Sequence, residues 1–481
     1  MNIKLIARYL GITLIFNAVF MFLSMMVSLI YGIDSSFAPL LISGVITLIV
    51  GIFPLIFVRQ SEITSVSEGF TITIFAWLLS CVFGMMPYIM WGGEFSIANA
   101  WFESVSGYTT TGATILNDIE ALPPGLVFWR SSTHFIGGIG VVIFMLLVLP
   151  SMSTFRLRMS KMEISSLSKS NYQYRTKEII RVISIVYISI TVISTVSLVL
   201  AGMPFFDAVN HAFSIVATGG FSTRNESIKF YDSFNVELVV MVCTVIASLH
   251  YGLMYNSIIS RSPKIFKSPI TRLYLTAILV ATLVISFDLL SNGGIKSWGE
   301  ALRLSSFQVI TVSATVGFAT ADTSVWPTCS ILILLMLGIQ GACSGSTTGG
   351  IKVDRVWILL KSAKTQIKKL LHPSAVVPVK VGNNKIDAEL TLSVALFVSL
   401  FFFIVIASAI ILAASGLDLI DSITSSFSLM SNLGPAFGTC GSLENYGHFS
   451  SFAKFIFSLQ MLLGRLEIYP LITIFFILRR R

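Results

Sequence analysis

The sequence predicts an all-α membrane protein in which two N-terminal helices precede four repeats of a helix, half-helix and helix unit. Three observations carry this prediction: the composition, a series of long apolar runs, and a short Thr/Gly phrase that occurs four times. Of the 481 residues, 54% are hydrophobic and only 11% are charged, whereas about 25% of an ordinary soluble domain is charged. A soluble protein could not cover so much apolar surface. A soluble enzyme, a disordered chain and a secreted disulfide scaffold are therefore excluded.

A membrane-spanning helix needs about 20 mainly apolar residues. Nine uninterrupted runs of that kind occur, near residues 5–30, 37–58, 69–92, 128–150, 178–202, 236–260, 271–292, 389–415 and 452–478. A tenth run, 328–360, is interrupted by small residues. Ten spans place both termini on the same side of the membrane.

The distribution of charge predicts which side is cytoplasmic. With the N-terminus inside, 25 of the 32 Lys and Arg residues fall on the inner side, and 15 of the 23 acidic residues fall on the outer side. Because basic residues favour the cytoplasmic side, the termini and the loops 156–181, 261–272 and 352–385 are predicted to be cytoplasmic. This signal explains the basic composition without nucleic-acid binding. The acidic outer face has two open interpretations, solubility and a raised local cation concentration.

Four shorter apolar stretches lie between the spans, and each leads into a similar phrase. The stretches lie near 96–108, 204–217, 299–314 and 418–431. They are too short to cross a bilayer and are typical of re-entrant segments. The phrases read YTTTGAT, ATGGFST, ATVGFAT and SNLGPAFGT. Their glycines align at spacings of 108, 97 and 117 residues, at Gly112, Gly220, Gly317 and Gly434.

Such a phrase suits a site for a dehydrated cation. Irregular backbone at membrane depth is tolerated when it is buried or lines a water-filled cavity, and a row of backbone carbonyls can replace the hydration shell of an alkali cation. Glycine adopts the required φ/ψ values at low cost, and each half-helix points its partly negative C-terminal end toward the phrase. A single Thr-Gly pair is more simply a helix cap or a packing notch. Four copies in register predict a selectivity filter around one central pore.

These phrases and the four M1–P-loop–M2 units resemble the superfamily of bacterial Trk and Ktr potassium transporters, fungal Trk and plant HKT proteins. The two additional N-terminal helices resemble its Trk branch, and the resemblance covers the whole chain. It implies two helices over 1–60 and pore repeats over 61–155, 156–265, 266–370 and 371–481.

The resemblance also implies which residues bind the ion through their backbone carbonyls. They are Thr110, Thr111 and Gly112; Thr218, Gly219 and Gly220; Thr315, Val316 and Gly317; Asn432, Leu433 and Gly434. A glycine in all four quarters implies K⁺ over Na⁺ in this superfamily, with K⁺ as the bound and transported ion. The quarters are less regular than the TVGYG of tetrameric channels, so fewer well-formed ion sites are expected.

The interrupted run contains ten consecutive small residues from Gly341 to Gly350, among them Gly345 and Gly349. Such residues hold a straight helix poorly. The preceding helical part rises about 18 Å, short of a ~30 Å bilayer core, so the break is predicted at mid-membrane with helix resuming at Ile351. A stretch for tight helix packing is the alternative. A nucleotide P-loop is excluded because Val353, not Ser or Thr, follows the lysine. The resemblance implies an intramembrane gating loop.

Arg465 lies in the middle of the last predicted span. An arginine there costs roughly 2.5–3.5 kcal/mol on insertion scales and usually faces a cavity or an ion path. Glu467 is two positions further on, on a different helix face, and is not its natural partner. Snorkelling is the alternative, although both interfaces are distant. The resemblance implies that GRLEIYP, residues 464–470, places this arginine in the pore beside the gating loop.

No catalytic constellation is visible in the spans. The histidines, His134, His211, His250, His372 and His448, have no ligand spacing and are interpreted as ordinary interfacial or core residues. A membrane enzyme would need paired acid and base residues or metal ligands. An ion-coupled secondary transporter, moving K⁺ with H⁺ or Na⁺, usually shows two repeats rather than four. The predicted protein is therefore a channel-like uptake protein and not an enzyme, with the coupled transporter as the alternative.

The resemblance implies partners as well. It implies a homodimer in the bacterial inner membrane, without an organic cofactor in this chain. It also implies a soluble cytoplasmic regulatory subunit that binds a nucleotide, NAD or ATP. The basic inner loops are plausible docking surfaces for that subunit, although the positive-inside topology explains them equally well.

Overall fold

The computed structural model describes residues 2–59, 66–148, 176–374, 377–382 and 384–472. Two N-terminal helices are followed by four groups of elements, one for each repeat. The first helices are α1 (Ile3–Ile30) and α2 (Phe37–Phe57), and the first group is α3 (Val66–Gly84), α4 (Met86–Trp91), α5 (Ile97–Tyr108) and α6 (Pro124–Val148). The second group is α7 (Thr176–Leu200), α8 (Phe205–Ala217), α9 (Phe234–Ser248) and α10 (Tyr251–Ile259).

The third group is α11 (Lys264–Lys267), α12 (Pro269–Ser291), α13 (Trp298–Ser313), α14 (Thr328–Gln340) and α15 (Val353–Leu371). The fourth begins with an antiparallel hairpin, β1 (Val379–Val381) and β2 (Asn384–Ile386), and continues with α16 (Ala388–Ala414), α17 (Leu419–Met430) and α18 (Ser451–Arg465). The predicted all-α class is confirmed, since the hairpin is the one small exception among the described residues.

The first two helices form a tight pair through glycines. A Cβ added at Gly51 would lie 2.9 Å from the carbonyl oxygen of Gly11, and one at Gly11 would meet the backbone of Gly51. Small residues of this kind let two helix backbones approach closely in a membrane. Since α1 also packs against α3 and α6, the pair is attached to the first repeat.

The four predicted half-helices are present with almost the predicted bounds. They are α5, α8, α13 and α17, of 12, 13, 16 and 12 residues. A 12-residue helix rises about 18 Å and cannot cross a bilayer core. Each half-helix is therefore a re-entrant element that brings one Thr/Gly phrase into the interior of the protein.

Two of the predicted continuous spans are broken, whereas α3 and α4 together still form one candidate span, Glu68–Trp91. The run 236–260 is the pair α9 and α10, bent by 97°. Helix α18 ends at Arg465, and helical structure resumes only at Ile468. Apolar composition predicts that a segment is buried in lipid or protein, but it does not reveal a bend where a polar residue such as His250 or Glu467 meets the interior. The continuous-helix prediction for both runs was wrong.

Six helices in the described part of the chain are individually long and apolar enough to cross a membrane, and the bent pair makes a seventh candidate. The ten-span count further requires α6, the broken pair α14 and α15, and the last run, which continues beyond the described residues. The repeat boundaries at 60/61 and 155/156 also lie outside the described residues and stay predictions. The other two fall within α11 and near the end of α15.

Candidate functional site

The half-helices end in the same hydrogen-bonded turn. In the first repeat the N–H of Thr110 donates to the carbonyl of Gly107 over 3.0 Å, and that of Thr111 donates to Ser106 over 2.9 Å. Corresponding bonds close α8, α13 and α17. This is the Schellman arrangement, which ends a helix when the next residue adopts the left-handed conformation. All four phrases therefore leave their half-helices with the same local geometry.

That left-handed residue is not a glycine in any quarter. The φ values are +51°, +55°, +51° and +54° at Thr110, Thr218, Thr315 and Asn432. A β-branched residue rarely adopts this conformation, and strained backbone persists only where the surrounding structure holds it. Two positions later φ is +81°, +84°, +81° and +93° at Gly112, Gly220, Gly317 and Gly434. The same backbone path thus recurs in register in all four quarters; it is strained at the three threonines, whereas asparagine and glycine adopt it more readily.

The four phrases form a closed ring. A Cβ added at Gly112 would collide with the carbonyl oxygen of Gly219 in the second quarter. The same collision occurs from the second quarter to the third, from the third to the fourth, and from the fourth back to the first, at the carbonyl oxygens of Val316, Leu433 and Thr111. Because the contacts run once round and close, the quarters surround a central axis with backbone carbonyls crowded beside each glycine.

Hydroxyl groups hold the residue that follows each glycine in three quarters. Ser214 donates to the carbonyl of Phe221 over 2.7 Å, Thr311 to that of Phe318 over 3.1 Å, and Ser428 to that of Pro435 over 2.6 Å. Each bond joins a half-helix to its own ascending limb, which is the segment after the glycine. The limbs are thus anchored by the same elements that carry the phrases.

The predicted break between α14 and α15 lies directly against this ring. The segment 341–352, here called the break loop, replaces helix between Gln340 and Val353, two residues further than predicted. Thr347 donates its hydroxyl to the carbonyl of Val216 in the second repeat over 2.9 Å. The N–H of Gly349 donates to the hydroxyl of Thr315 over 2.8 Å, and a Cβ added at Gly349 would collide with the carbonyl oxygen of Ser431. The break loop therefore contacts three of the four repeats.

The break loop depends on its glycines. Gly341, Gly345 and Gly350 have φ values of +65°, +82° and +74°. A Cβ at Gly341 would meet the backbone of Gly349, so two parts of the loop approach each other closely at this point. The small residues that signalled the break in the sequence are thus those that its folded path requires.

Arg465 reaches the break loop, which is where the resemblance implies that it lies; its gating role stays a prediction. Its Nη1 donates to the carbonyl oxygen of Thr347 over 2.6 Å, and the residue is 5% exposed. Its Nε and Nη2 have no hydrogen-bond partner among the described residues. Snorkelling is contradicted, because the guanidinium is buried within the protein and bound to the loop.

Glu467 has a different partner. It accepts from Nη2 of Arg355 over 2.9 Å, and the guanidinium carbon of Arg355 lies 4.1 Å from the centre of the Phe397 ring. This pair joins the start of α15 to the break in the last span. Lys352, which the topology prediction counted in a cytoplasmic loop, is 4% exposed and bonds to Thr348 within the break loop. Because Lys352 follows an apolar run, the topology prediction placed its charge in solvent. That prediction was wrong for this residue.

Sequence reasoning missed several side chains behind the ring. His134 stacks on Phe221 at 4.0 Å between ring centres, and its ring fills the space that a Cβ at Gly219 would need. His211 shares a hydrogen bond of 3.0 Å with Ser222, and the ring of His250 lies against Gly345 of the break loop. No spacing in the sequence relates these histidines, so only the fold reveals their positions.

The loops that follow the half-helices of the first two repeats are also connected. The side-chain amide of Asn225 donates to Asp118 over 2.9 Å, and Arg224 pairs with Glu120 and Asp207. Hydrogen bonding from Asn225, supported by two backbone N–H groups, lowers the pKa of Asp118 below its ordinary value. This carboxylate therefore stays ionised and keeps its negative charge in this loop.

Comparisons with known proteins agree with this architecture. The sequence profile described as "TrkH: Cation transport protein" matches residues 39–480. The Trk system potassium uptake protein TrkH of Salmonella typhimurium is 32% identical over 415 residues, covering 85% of each chain. TrkH of Halomonas elongata is 31% identical over 482 residues, covering 99% of this chain and 98% of its own. The crystal structure of the potassium transporter TrkH from Vibrio parahaemolyticus superposes with a TM-score of 0.90 at 29% identity, over 98% of both chains.

Proposed function

The chain belongs to the TrkH family of Trk-type potassium uptake proteins, and from this premise we propose that it conducts K⁺ across the bacterial inner membrane through the ring of four phrases. The relatives are named as potassium uptake proteins. The single observation that carries the proposal for this chain is the closed ring, in which each quarter presses a glycine against the next quarter's carbonyl oxygen.

The ring supplies what a dehydrated cation needs. Backbone carbonyls from four directions replace water around the ion, and the four half-helices direct their partly negative C-terminal ends to the same place. The carbonyl-bearing residues are the twelve predicted ones, from Thr110–Gly112 to Asn432–Gly434. Strained threonines hold the carbonyls in position before an ion arrives, so less ordering is needed when it binds.

The gate in this proposal is the break loop together with Arg465. The loop contacts the ring from the second repeat to the fourth, and the arginine is bonded to its middle residue, Thr347. A fixed positive charge at ~5 Å from a passing cation, at an effective dielectric constant of about 20, opposes it by roughly 3 kcal/mol before screening. Loop and arginine act as one barrier that must move aside for conduction.

The proposed assembly follows the family. Two copies of the chain form a homodimer, and a soluble nucleotide-binding subunit acts on the cytoplasmic face to control the gate. The exposed end of α15, with Lys361, Lys364, Lys368 and Lys369, continues from the break loop. A protein bound there would be mechanically connected to the gate.

The test is rubidium uptake by the purified chain in liposomes loaded with KCl. We expect uptake that Na⁺ inhibits less than K⁺ does, and that follows an imposed membrane potential without a pH or Na⁺ gradient. Empty liposomes are the control. Uptake that requires a proton or sodium gradient would establish the coupled transporter instead, and no uptake under either condition would refute transport by this chain alone.

A further inference from the structure

One buried ion pair lies behind the ring, between its first and second quarters. Nε of Arg130, on α6, donates to Oε1 of Glu103, on α5, over 2.6 Å, and the two side chains are 2% and 0% exposed. Burying two charges is costly unless further hydrogen bonds satisfy them. The sequence analysis counted both among the charges of the outer side, so their burial was not foreseen.

The carboxylate holds the limb that leaves the first quarter. Glu103 accepts from the hydroxyl of Thr114 at 3.0 and 3.1 Å and from the N–H of Ile115 at 3.0 Å. These residues follow Gly112 by two and three positions. In the other quarters a hydroxyl of the half-helix bonds to the residue after the glycine. Carboxylates of the half-helices also hold the second and fourth limbs, where Thr223 donates to Asp207 and Thr439 donates to Asp421. Glu103 is the carboxylate anchor of the first limb, and it differs in forming its ion pair with a buried arginine.

The guanidinium holds the limb that leaves the second quarter. Nη1 of Arg130 donates to the carbonyl oxygen of Ser222 over 3.0 Å, two positions after Gly220. The guanidinium carbon also lies 3.5 Å from the centre of the Phe221 ring. One ion pair therefore connects the limbs of two neighbouring quarters, and it places a full charge of each sign beside the ring.

The fold itself does not require this pair. A Cβ added at Gly137 on α6 would meet the carbonyl oxygen of Tyr108, and one added at Gly464 on α18 would meet that of Met430. Tyr108 and Met430 each lie four positions before a filter glycine. The two glycines therefore occupy equivalent positions in the first and fourth repeats. Arg130 lies seven positions before Gly137, and Phe457 lies seven positions before Gly464. The fourth quarter is closed at that point by a buried phenyl ring packed against Tyr446 and Phe449. Apolar packing suffices there, so the crossing of these helices does not by itself require charges at this position.

We propose that the Arg130–Glu103 pair determines ion specificity, by fixing the two limbs and by balancing the electrostatic field beside the ring. The proposal rests on the ring being a K⁺ filter. Its two charges act in opposite senses. Without Arg130, a buried carboxylate and a freed Ser222 carbonyl add negative field, which favours the smaller Na⁺. Without Glu103, an unpaired guanidinium remains and repels any cation.

The experiment compares Arg130→Gln, Glu103→Gln and the double variant in rubidium uptake with Na⁺ as competitor. Arg130→Gln should raise the inhibition by Na⁺ about fivefold, equivalent to ~1 kcal/mol. Glu103→Gln should slow uptake of Rb⁺ about fivefold without favouring Na⁺. The double variant, which leaves no unpaired charge, should recover most of the uptake because the two effects are coupled.

The matched control is Arg303→Gln. Arg303 forms a bidentate pair with Glu237 at 2.8 Å, and its other ion-pair partner is Asp232. The Arg303→Gln variant should lose this ion pair without a change in the inhibition of rubidium uptake by Na⁺. A purely structural role of Arg130 and Glu103 would lower thermal stability and uptake alike in both single variants, and that outcome overturns the proposal.

Folding is checked by the melting temperature and by size-exclusion chromatography. If the single variants do not fold, the neutral double variant decides. Its field is balanced, but its two limbs lose their charged hydrogen bonds, so inhibition by Na⁺ should stay above that of the parent, and a parental response to Na⁺ overturns the proposal. A parent chain that takes up no Rb⁺ at all refutes the filter function instead, so the two failures are distinguishable.

Discussion

The conformation of single residues determines whether the four quarters can meet. Each filter glycine has a positive φ and also faces a carbonyl oxygen of the next quarter, so an added side chain has two independent costs. The left-handed conformation costs an L-residue ~1–2 kcal/mol. The collision must in addition displace the neighbouring carbonyl. In the proposed filter, this displacement changes how the carbonyl binds the ion.

Gly112→Ser and Gly220→Ser should therefore admit more Na⁺ relative to K⁺. A change of ~1 kcal/mol in the relative free energies of the two ions corresponds to about fivefold in their preference, measured as inhibition of rubidium uptake by Na⁺. The control is Gly202→Ser, because Gly202 has a φ of +99° and nothing within 4 Å of an added Cβ. Equal effects in all three variants would mean that backbone strain alone, and not the ring, is being measured.

In the proposed gate, two elements form the barrier: the break loop and the last span. They are joined by the bond of Arg465 to Thr347 and by the pair of Arg355 with Glu467. Glycine-rich backbone changes its path at little cost, whereas the helices on either side do not. Motion is therefore expected to concentrate in the loop.

Arg465→Ala should raise resting rubidium uptake about tenfold, since screening reduces the repulsion to ~1.4 kcal/mol. Deleting Gly345 to Thr347 from the loop should raise it too. Combining the two changes should give less than the product of the single effects, because both remove parts of one barrier. The control is Lys454→Ala. Lys454 lies on the same helix as Arg465 and donates to Asn99 near the predicted outer side. Fully independent effects would contradict a shared barrier.

At the scale of the whole molecule, the charge distribution predicts the orientation in the membrane. Cysteines introduced in a variant without native cysteines test this, and they should be placed at exposed positions. Lys364→Cys and Lys368→Cys, on α15, should resist an impermeant thiol reagent applied outside intact cells, whereas Lys296→Cys should react. Labelling of the α15 positions from outside would invert the topology and the side that the filter faces.

The half-helices were predictable because length alone separates a 12-residue apolar stretch from a span. The four phrases were predictable because repetition is visible in the sequence, and the same holds for the break loop with its run of small residues. The inward position of Arg465 was predictable because a charge in the middle of an apolar run usually faces a cavity or a polar partner inside the protein. In each case a local pattern carried the information.

Other features depend on contacts between distant segments and leave no such pattern. The bend at His250 and the end of α18 occur inside long apolar runs, where the few polar residues and glycines do not show whether the helix continues. Glu103 and Arg130 look like ordinary outer charges until the fold brings α5 and α6 together. Lys352 likewise appears to begin a basic cytoplasmic loop, although the path of the break loop buries it. Such residues become recognisable only when three-dimensional neighbours are known.

The ring of four unlike quarters has a genetic consequence. In a channel assembled from four identical subunits, one mutated codon changes the pore at four positions at once. Here the quarters are encoded separately, so one codon change alters one wall of the proposed pore and leaves three intact. Selection can thus adjust the pore in small steps, and intermediate phenotypes are accessible that a four-copy channel must skip.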